Sequence, residues 1–390
     1  MKKLVFVPDS FKGTMTSLEI CEQMRCAARA LWPQVQTEEI PVADGGEGSV
    51  DAFLGAVGGS REIAVVQGPY GERLEAFYGL CGSTAVVEMA AAAGLPLVGE
   101  NRRAERTTTY GVCQLIAHAR EHPQVTRLVI GLGGSATNDG GCGAAAALGV
   151  RFLDEAGNPF VPVGGTLSRI AKVDPSGIHP RLREVEVCAM CDIDNPLCGP
   201  QGAAAVFGPQ KGADPAMVRL LDEGLLHLAE VIRRDLGVDV LSLPGGGAAG
   251  GMGAGAASFL HASLQKGIET VLTVARFEER ARGADLILTG EGRIDGQSLR
   301  GKVVMGVAER AASLGIPVAA VVGDIAKERR WLTRREWQAF SPSTVWLFHI
   351  PKHEKQPSGI CFLPFRMCCA LWIACVYSDK VNGNIPLTKM

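Results

Sequence analysis

Short apolar runs alternate with amphipathic segments along most of the chain, and this alternation predicts strands that are followed by helices. Leu4–Val7 is wholly apolar, as is typical of a strand buried on both faces of a parallel sheet. A helix that Ser17 caps is predicted next, because apolar residues recur at helical spacing as far as Leu31. A second strand near 38–42 leads through a glycine-rich loop into a helix predicted over 49–57. The pattern indicates an α/β protein built from strand–loop–helix units.

The pattern changes between residues 62 and 89, where strand-like runs are separated only by turns. Alternating residues and the Gly68–Gly71 turn predict an antiparallel meander there. Beyond it, buried strands and helices alternate again. Further strands are predicted at 126–131, 185–190, 285–288 and 316–322, and further helices near 144–148, 215–235 and 300–314.

The length and the change of pattern together predict two domains. A chain of 390 residues exceeds the size at which a single hydrophobic core usually stops growing. We expect a doubly wound parallel-sheet domain formed by residues 1–66 and 283–326, interrupted by an inserted second α/β domain at 67–282. An atypical C-terminal tail is expected at 327–390.

The charge balance and the hydropathy pattern exclude several classes of partner. With 39 basic and 41 acidic residues, the formal net charge is −2, which offers no broad cationic surface for nucleic acid or anionic lipid. No apolar run reaches the length of a membrane-spanning helix, and the N-terminus leads into a strand without a cleavage pattern. We therefore expect a cytoplasmic protein that binds small molecules.

Glycine and acidic residues recur together where predicted strands hand over to loops. Glycine allows a backbone to approach a phosphate closely, and neighbouring carboxylates can hold a divalent cation. Ligands of open α/β sheets bind outside the carboxyl ends of the strands, so we expect these signatures to surround one pocket for phosphoryl transfer. The alternative for each is a tight turn or a helix cap. The signatures are Pro8–Gly13, Pro41–Gly48, Gly133–Gly141, Asp192–Pro196 and Thr289–Asp295.

Several glycine-rich segments are candidates for binding the phosphates of a nucleotide. The loop 133–141 opens a predicted helix, whose N–H groups and dipole favour an anion. Lys211 lies between glycines, either as a phosphate contact or as a solvated lysine in a turn, and the run 244–255 either wraps a nucleotide or forms a hinge. Gly296–Val303 is similar to a phosphate loop but lacks the final hydroxyl. The candidates for ATP binding are Gly133, Gly134, Ser135, Asn138, Lys211, Gly250, Gly251 and Lys302.

These signatures, together with Val206–Gly212, resemble those of the bacterial glycerate kinase family, type 1, in the same order over about residues 1–325. The resemblance implies ATP-dependent phosphorylation of D-glycerate, with 2-phosphoglycerate as the product and Mg²⁺ as the cation. It also implies two α/β domains, one of them flavodoxin-like and interrupted by the other.

The requirements of phosphoryl transfer to an anionic hydroxy acid suggest roles for the remaining polar residues. Asp192, at a strand end, is the candidate general base, and Asp44 and Glu291 are candidate ligands of Mg²⁺ or of a hydroxyl. Lys12 and Arg293 are catalytic candidates that suit the glycerate carboxylate. The candidates for substrate binding are Asp9, Ser10, Asp44, Glu47, Asn195, Glu291 and Asp295.

Two alternatives remain open at this stage. An NAD-dependent oxidoreductase of a small hydroxy acid is one, although no G-x-G-x-x-G follows a strand with an acidic residue at the expected distance. The second is an impaired kinase, because the tail departs from the family and holds four of the five tryptophans. We hypothesise an altered reading frame there, which would remove a core strand and expose the edge of the first sheet.

Overall fold

The computed structural model describes residues 1–11, 14–292 and 302–322, and the backbone of a strand at 345–349. The chain divides into two compact units. Unit 1 comprises Met1–Ala43, Gly55–Val57 and Val271–Met390, and unit 2 comprises Asp44–Leu54 and Gly58–Thr270. Each unit contains a sheet with parallel strands and helices, so the predicted α/β class is confirmed.

The elements are numbered in chain order. The strands are β1 (Lys3–Pro8), β2 (Gln36–Glu39), β3 (Ser60–Gln67), β4 (Arg73–Cys81), β5 (Thr84–Glu88), β6 (Arg127–Gly131), β7 (Arg151–Leu153), β8 (Pro159–Phe160), β9 (Lys172–Asp174), β10 (Glu186–Met190), β11 (Ser263–Gln265), β12 (Leu286–Glu291), β13 (Val318–Val322) and β14 (Val345–His349). The α-helices are α1 (Ser17–Leu31), α2 (Ser49–Val57), α3 (Met89–Ala93), α4 (Leu95–Val98), α5 (Tyr110–Arg120), α6 (Cys142–Ala147), α7 (Ala203–Phe207), α8 (Pro215–Leu236), α9 (Ala248–Phe259), α10 (Gly267–Val274), α11 (Phe277–Ala281) and α12 (Val303–Ser313).

Unit 1 is built on a five-stranded parallel sheet with the order β14-β13-β12-β1-β2. Counted along the chain within this unit, the strands run 2-1-3-4-5, which is the flavodoxin-like order. Leu4–Val7 and Leu286–Leu288 are fully buried at its centre, because both faces of these strands are covered. The predicted doubly wound domain is thereby confirmed.

The N-cap of helix α1 lies one residue earlier than the sequence predicts. The cap is Thr16 rather than Ser17, since Thr16 Oγ1 accepts from Glu19 N and the Glu19 carboxylate accepts from Thr16 N. Leu18 is 40% exposed, whereas Ile20 and Met24 are fully buried against the sheet. Met24, which the helical spacing places on the apolar face, is therefore buried as predicted, whereas Leu18 faces solvent.

Strand β14 corrects the expectation of an exposed sheet edge in unit 1. It pairs in parallel with β13, with Val318 opposite Val345 and Val322 opposite His349. The segment lies inside the tail predicted from 327, and its composition of valine and aromatic residues favours a strand. The other residues of that tail lie outside the described part of the chain.

Unit 2 contains a six-stranded mixed sheet with the order β11-β10-β6-β5-β4-β3. Strands β3, β4 and β5 pair antiparallel, which confirms the predicted meander, while β5, β6, β10 and β11 are parallel. A small sheet of β8, β7 and β9 adds to this unit. The carboxyl ends of four parallel strands therefore lie at one edge of the large sheet.

The division into units differs from the predicted domain boundaries at 66 and 283. Strand β3 pairs with β4 along its whole length, from Ser60 to Gln67, so it belongs to the sheet of unit 2. The compact units change at Ala43 and again at Val271 instead. Among the helices that the structure describes, none is both long and apolar enough to cross a membrane.

Candidate active site

The loop 133–141 leaves the end of β6 and packs against the loop 44–48. Gly133 N donates to Gly45 O at 2.8 Å, and a Cβ on Gly133 would lie 2.5 Å from Gly46 Cα. Gly45 itself lies against Met190 at the end of β10. The predicted signatures at 44–48 and 133–141 thus meet at the carboxyl ends of β6 and β10.

Asp139, inside the loop 133–141, is a fully buried carboxylate with four donors. Its Oδ2 accepts from Thr109 N and Thr109 Oγ1, both at 2.8 Å, and from Gly143 N at 3.2 Å, while Oδ1 accepts from Gly141 N at 3.1 Å. Burial raises the pKa of Asp139, and these hydrogen bonds oppose that rise. Asp139 therefore anchors the loop to the start of α5.

The N-terminus of α6 holds a carboxylate of the protein itself, that of Asp139, in place of a nucleotide phosphate. The helix has six residues, and its first N–H groups are taken by the protein itself. Gly141 N and Gly143 N donate to Asp139, and Ala144 N donates to Thr109 Oγ1 at 2.8 Å. Because these donors are satisfied by side chains, they do not face a phosphate.

Lys211 is buried against the same loop. Its Nζ donates to Ser135 Oγ at 2.9 Å and to Thr137 O at 2.6 Å, and the residue is only 2% exposed. Burial lowers the pKa of Lys211 to about 7. The structure thus brings Lys211 and Ser135 together, and the alternative of a solvated lysine is wrong.

The glycine run 244–255 packs on the loop through a break inside α9. Gly250 and Gly251 have φ of 67° and 92°, and Gly250 O accepts from Gly140 N at 3.0 Å. A Cβ on Gly250 would lie 1.9 Å from Thr137 O. Close backbone packing therefore accounts for this glycine, which sequence reasoning assigned to wrapping a nucleotide or to a hinge.

Two side chains of the loop keep buried polar atoms without a partner. Asn138 is fully buried, and neither its Nδ2 nor its Oδ1 has a hydrogen-bond partner among the described residues; the same holds for Thr137 Oγ1. Buried polar groups of this kind cost about 1–3 kcal/mol each, so native proteins satisfy them with a ligand or ordered water. These groups beside Lys211 are the part of the loop that suits a polar ligand.

Glu88, at the end of β5, is a buried carboxylate that sequence reasoning missed. Its Oε1 accepts from Val50 N at 2.6 Å and its Oε2 from Gly48 N at 3.3 Å, so it holds the start of α2. Burial raises the pKa of Glu88 to about 7, and the charges of Asp51 and Glu47 add to that rise. The signal in the sequence was a lone glutamate ending an apolar run.

The carboxylates of the loop 44–48 have different surroundings. Asp44 is half-buried, and its Oδ1 accepts from Gly46 N at 3.2 Å. Glu47 is exposed. Asp44 is thus held by its own turn, while Glu47 extends from the loop.

The segment after β10 places Asp192 and Asn195 by hydrogen bonds within unit 2. Asp192 Oδ1 accepts from Gly267 N at 2.8 Å, at the start of α10. Asn195 Nδ2 donates to Gln201 O at 2.8 Å, and Asn195 O accepts from Gly247 N. Both predicted residues therefore lie at the carboxyl end of β10, with part of their hydrogen-bonding capacity used to fix the segment.

The predicted residues of unit 1 lie at the carboxyl ends of its central strands. Asp9 N donates to Gly290 O at 2.8 Å, and Asp9 Oδ1 accepts from Ser10 N at 2.7 Å. Glu291 ends the neighbouring strand β12 and is buried. Lys302 is half-buried in the capping position of α12. Three further predicted residues lie outside the described residues: Lys12, Arg293 and Asp295.

Comparisons with known proteins place the chain in one family. The sequence model of the glycerate kinase family matches residues 4–350. A glycerate kinase of Halalkalibacterium halodurans is 47% identical over 330 residues, covering 84% of this chain and 87% of that protein. A glycerate 2-kinase of Escherichia coli is 45% identical over 329 residues, covering 84% of this chain and 86% of that protein. The chain belongs to the glycerate kinase family.

A solved structure of a similar protein supports the same assignment. The crystal structure of a protein provisionally called glycerate kinase 2, from Salmonella typhimurium, has 40% identity and a TM-score of 0.84. The alignment covers 97% of this chain and 99% of that chain. The recognition of the family from its signatures is confirmed, and so is an enzyme that transfers a phosphoryl group to an alcohol.

The family match also reaches further than the resemblance did. It extends to residue 350, whereas the resemblance ended near 325, so strand β14 lies inside the matched region. The hypothesis of an altered reading frame in the tail at 327–390 stays a prediction.

The described residues can bind a magnesium ion only if phosphates of a bound nucleotide supply the remaining ligands. Among them, no group of three or more His, Cys, Asp or Glu side chains lies close enough to hold a metal. Mg²⁺ is commonly bound by one or two carboxylates together with substrate phosphates, so Asp44 and Glu291 have the correct ligand chemistry. The predicted meeting of all five signatures around one pocket stays a prediction.

Proposed function

We propose that the chain transfers the γ-phosphoryl group of ATP to the 2-hydroxyl of D-glycerate, producing 2-phosphoglycerate and ADP. The observation that carries this proposal is the 45% identity to the glycerate 2-kinase of Escherichia coli, which extends over 84% of this chain. Identity at this level over 84% of this chain and 86% of that protein supports a shared reaction and not only a shared fold. The geometry of unit 2 supports it with a buried lysine beside a glycine loop.

In this reaction the 2-hydroxyl oxygen forms a bond to the γ-phosphorus, and the bond from that phosphorus to the oxygen bridging to the β-phosphate breaks. The proton of the hydroxyl must leave as the new bond forms. We assign it to Asp192, whose carboxylate is oriented by the hydrogen bond from Gly267 N at the end of a parallel strand. ADP leaves with the electrons of the broken bond.

The phosphates of ATP are assigned to the loop 133–141 and to Lys211. The support is the cluster of Lys211 Nζ, the unpartnered Thr137 Oγ1 and the unpartnered Asn138 amide in one buried place. Phosphoryl transfer depends on positioning and on neutralising charge, and this cluster offers a basic amine and polar groups on one loop. Gly133, Gly134, Gly250 and Gly251 contribute by allowing the backbones to approach.

The glycerate and the cation are assigned to residues at the other strand ends. Asp44 or Glu291 would hold Mg²⁺ together with the phosphates, where the ion would neutralise charge on the transferred group. The carboxylate of glycerate is assigned to Lys12 and Arg293, because a bidentate or cationic partner suits it. We assign these further residues to binding the substrate hydroxyls: Asp9, Ser10, Glu47, Asn195 and Asp295. Lys302 is kept as a phosphate contact.

The test is an assay of ADP release with D-glycerate, followed by phosphorus NMR of the product. We expect ADP release that depends on both ATP and D-glycerate, with L-glycerate as the control substrate. Phosphorus on the 2-oxygen couples to one proton, whereas phosphorus on the 3-oxygen couples to two. Absence of ADP release, or a product whose phosphorus couples to two protons, would contradict the proposal.

No specific observation favours the oxidoreductase over the kinase, since the family match covers residues 4–350. The argument for an impaired kinase was a missing core strand, and β14 supplies a strand at that edge of the sheet. The same assay separates the kinase from both alternatives. Consumption of NADH instead would favour the oxidoreductase, and ATP binding without turnover would favour the impaired kinase.

A further inference from the structure

Lys211 is a buried amine whose hydrogen-bond acceptors are neutral. Its Nζ donates to the hydroxyl of Ser135 and to the carbonyl of Thr137, with 2% of the residue exposed. A buried ammonium that lacks an anionic partner is disfavoured relative to the neutral amine, because the protein interior solvates charge poorly. Lys211 therefore holds its proton weakly in the free protein.

The charged groups around Lys211 do not reverse this effect. Asp139 acts on it through space, which raises the pKa of Lys211, but burial has the larger effect and leaves that pKa at about 7. The Asp139 carboxylate is itself engaged by four donors from Thr109, Gly141 and Gly143. From the neighbouring segment, the Arg102 guanidinium donates to Gln210 O at 2.8 Å and brings a second cation to the same turn.

The third charged group near this turn is also engaged. Asp214 follows Lys211 along the chain, and its Oδ1 accepts from Ala216 N at 2.9 Å and from Met217 N at 2.8 Å at the start of α8. None of the described carboxylates therefore forms a hydrogen bond with the Lys211 amine. An anionic ligand at the loop is the partner that this amine lacks.

We propose that Lys211 takes up one proton from solvent when the phosphates of ATP bind at the loop 133–141, so that the affinity for ATP falls as the pH rises above neutrality. The inference rests on the proposed function and deepens it. An anion within about 4–6 Å favours the charged form of an amine, so direct contact is not required. The proton comes from water or buffer and stays on Nζ, and no bond of the nucleotide changes.

The experiment is titration calorimetry of the full chain with ATP and Mg²⁺, without glycerate, at pH 8 in HEPES and in Tris. These buffers differ in ionisation enthalpy, so the difference in heat gives the number of protons taken up. For the wild type we expect Lys211 to account for roughly 0.5 to 0.9 proton per nucleotide at pH 8, and much less at pH 6, where the amine is already charged.

Two variants isolate the contribution of this residue. Lys211→Met removes the amine, so at pH 8 this variant should take up roughly 0.5 to 0.9 proton fewer per nucleotide than the wild type. Lys172→Met makes the same substitution at an exposed lysine of unit 2 and should match the wild type. Protonation of the nucleotide contributes equally in all three proteins, so the difference between them reports Lys211.

Each outcome decides a different question. ATP binding with equal proton uptake in the wild type and in Lys211→Met overturns this inference and leaves the proposed function standing. No ATP binding by the wild type overturns both. If Lys211→Met does not fold, the wild type alone decides. The dissociation constant of the wild type for ATP should rise between pH 7 and pH 9, by up to about tenfold per pH unit. An affinity for ATP that does not depend on pH contradicts the inference.

Discussion

At the scale of single residues, burial separates the carboxylates that hold loops from the one assigned to the reaction. Asp139 and Glu88 are buried carboxylates that accept from backbone N–H groups and fix the two glycine loops of unit 2. Asp192 is only half-buried and lies at a strand end. Asp139 and Glu88 therefore have structural roles, whereas the loss of the Asp192 carboxylate should affect the chemical step.

Replacing Asp192 by Asn tests its role as the base. The amide oxygen can still accept from Gly267 N, so the segment should keep its conformation while the proton acceptor is lost. We expect kcat to fall by about 100-fold to 10,000-fold, with KM for both substrates within a few-fold. Steady-state kinetics measure both. The control is Asp194→Asn, at an exposed neighbour, and turnover of Asp192→Asn within a few-fold of the wild type removes Asp192 from this role.

Glu88→Gln tests the buried carboxylate below the loop 44–48. In the folded protein its pKa is about 7, above the value of an unfolded chain, so the folded state binds the proton more tightly. Glu88 therefore contributes stability below pH 4.5 that is lost as the pH rises through 7. Because Gln resembles the protonated acid at every pH, we expect the variant to become relatively more stable by about 2 to 3 kcal/mol between pH 5 and pH 8.

Urea unfolding at several pH values measures this difference. Glu100→Gln is the matched control, since Glu100 is exposed and its replacement should leave the pH dependence of the unfolding free energy unchanged. If Glu88→Gln and the wild type show parallel pH profiles, the carboxylate is not held in the way described.

At the scale of the elements, the site depends on backbones that approach too closely for side chains. The break in α9 and the loop 133–141 are the main example, joined by the hydrogen bond from Gly140 N to Gly250 O. Both segments were recognised in the sequence as glycine-rich, but their contact was not predictable. They are more than a hundred residues apart, and no local rule brings them together.

Gly250→Ala tests this contact against a glycine of similar conformation. At Gly250 a Cβ would meet Thr137 O at 1.9 Å, whereas at Gly157, with φ of 80°, nothing lies within 4 Å. We expect Gly157→Ala to lower the free energy of unfolding by about 1 to 2 kcal/mol, from strain alone. Gly250→Ala should lower it by about 3 kcal/mol or more and weaken ATP binding. Equal losses in urea unfolding would contradict the packing described.

Strand β14 makes a prediction about the sheet of unit 1. Because β13 pairs with β12 on one side and with β14 on the other, all amide groups of Val318–Val322 have partners in the sheet. We expect slow hydrogen exchange throughout this strand, as in β1. Rapid exchange at alternate residues of β13 would show that its outer edge is exposed in solution.

At the scale of the whole molecule, the sequence predicted the class and most elements of the fold for a simple reason. Strands buried on both faces must be apolar throughout, so β1 and β6 were visible as runs. The domain boundaries were harder to predict from the sequence. Strand β3 looks like part of the first domain until its pairing with β4 is known, and that pairing is a tertiary property.

The candidate site was predictable only in part. Lys211, Ser135 and Asn138 were identified from glycine spacing, and the structure brings Lys211 and Ser135 into contact within the loop that holds Asn138. Asp139 and Glu88 were not assigned, because their partners Thr109 and Val50 lie 30 and 38 residues away. Hydrogen bonds at such separations leave no periodic signal in a sequence.

The loop 133–141 of unit 2, with Lys211, is the site proposed here for the phosphates of ATP. The most direct test is a crystal structure of the full chain with a non-hydrolysable ATP analogue, Mg²⁺ and D-glycerate. We predict phosphate oxygens within hydrogen-bond distance of loop atoms between Gly134 and Asn138, and the 2-hydroxyl of glycerate beside Asp192. A triphosphate bound away from this loop would contradict the account.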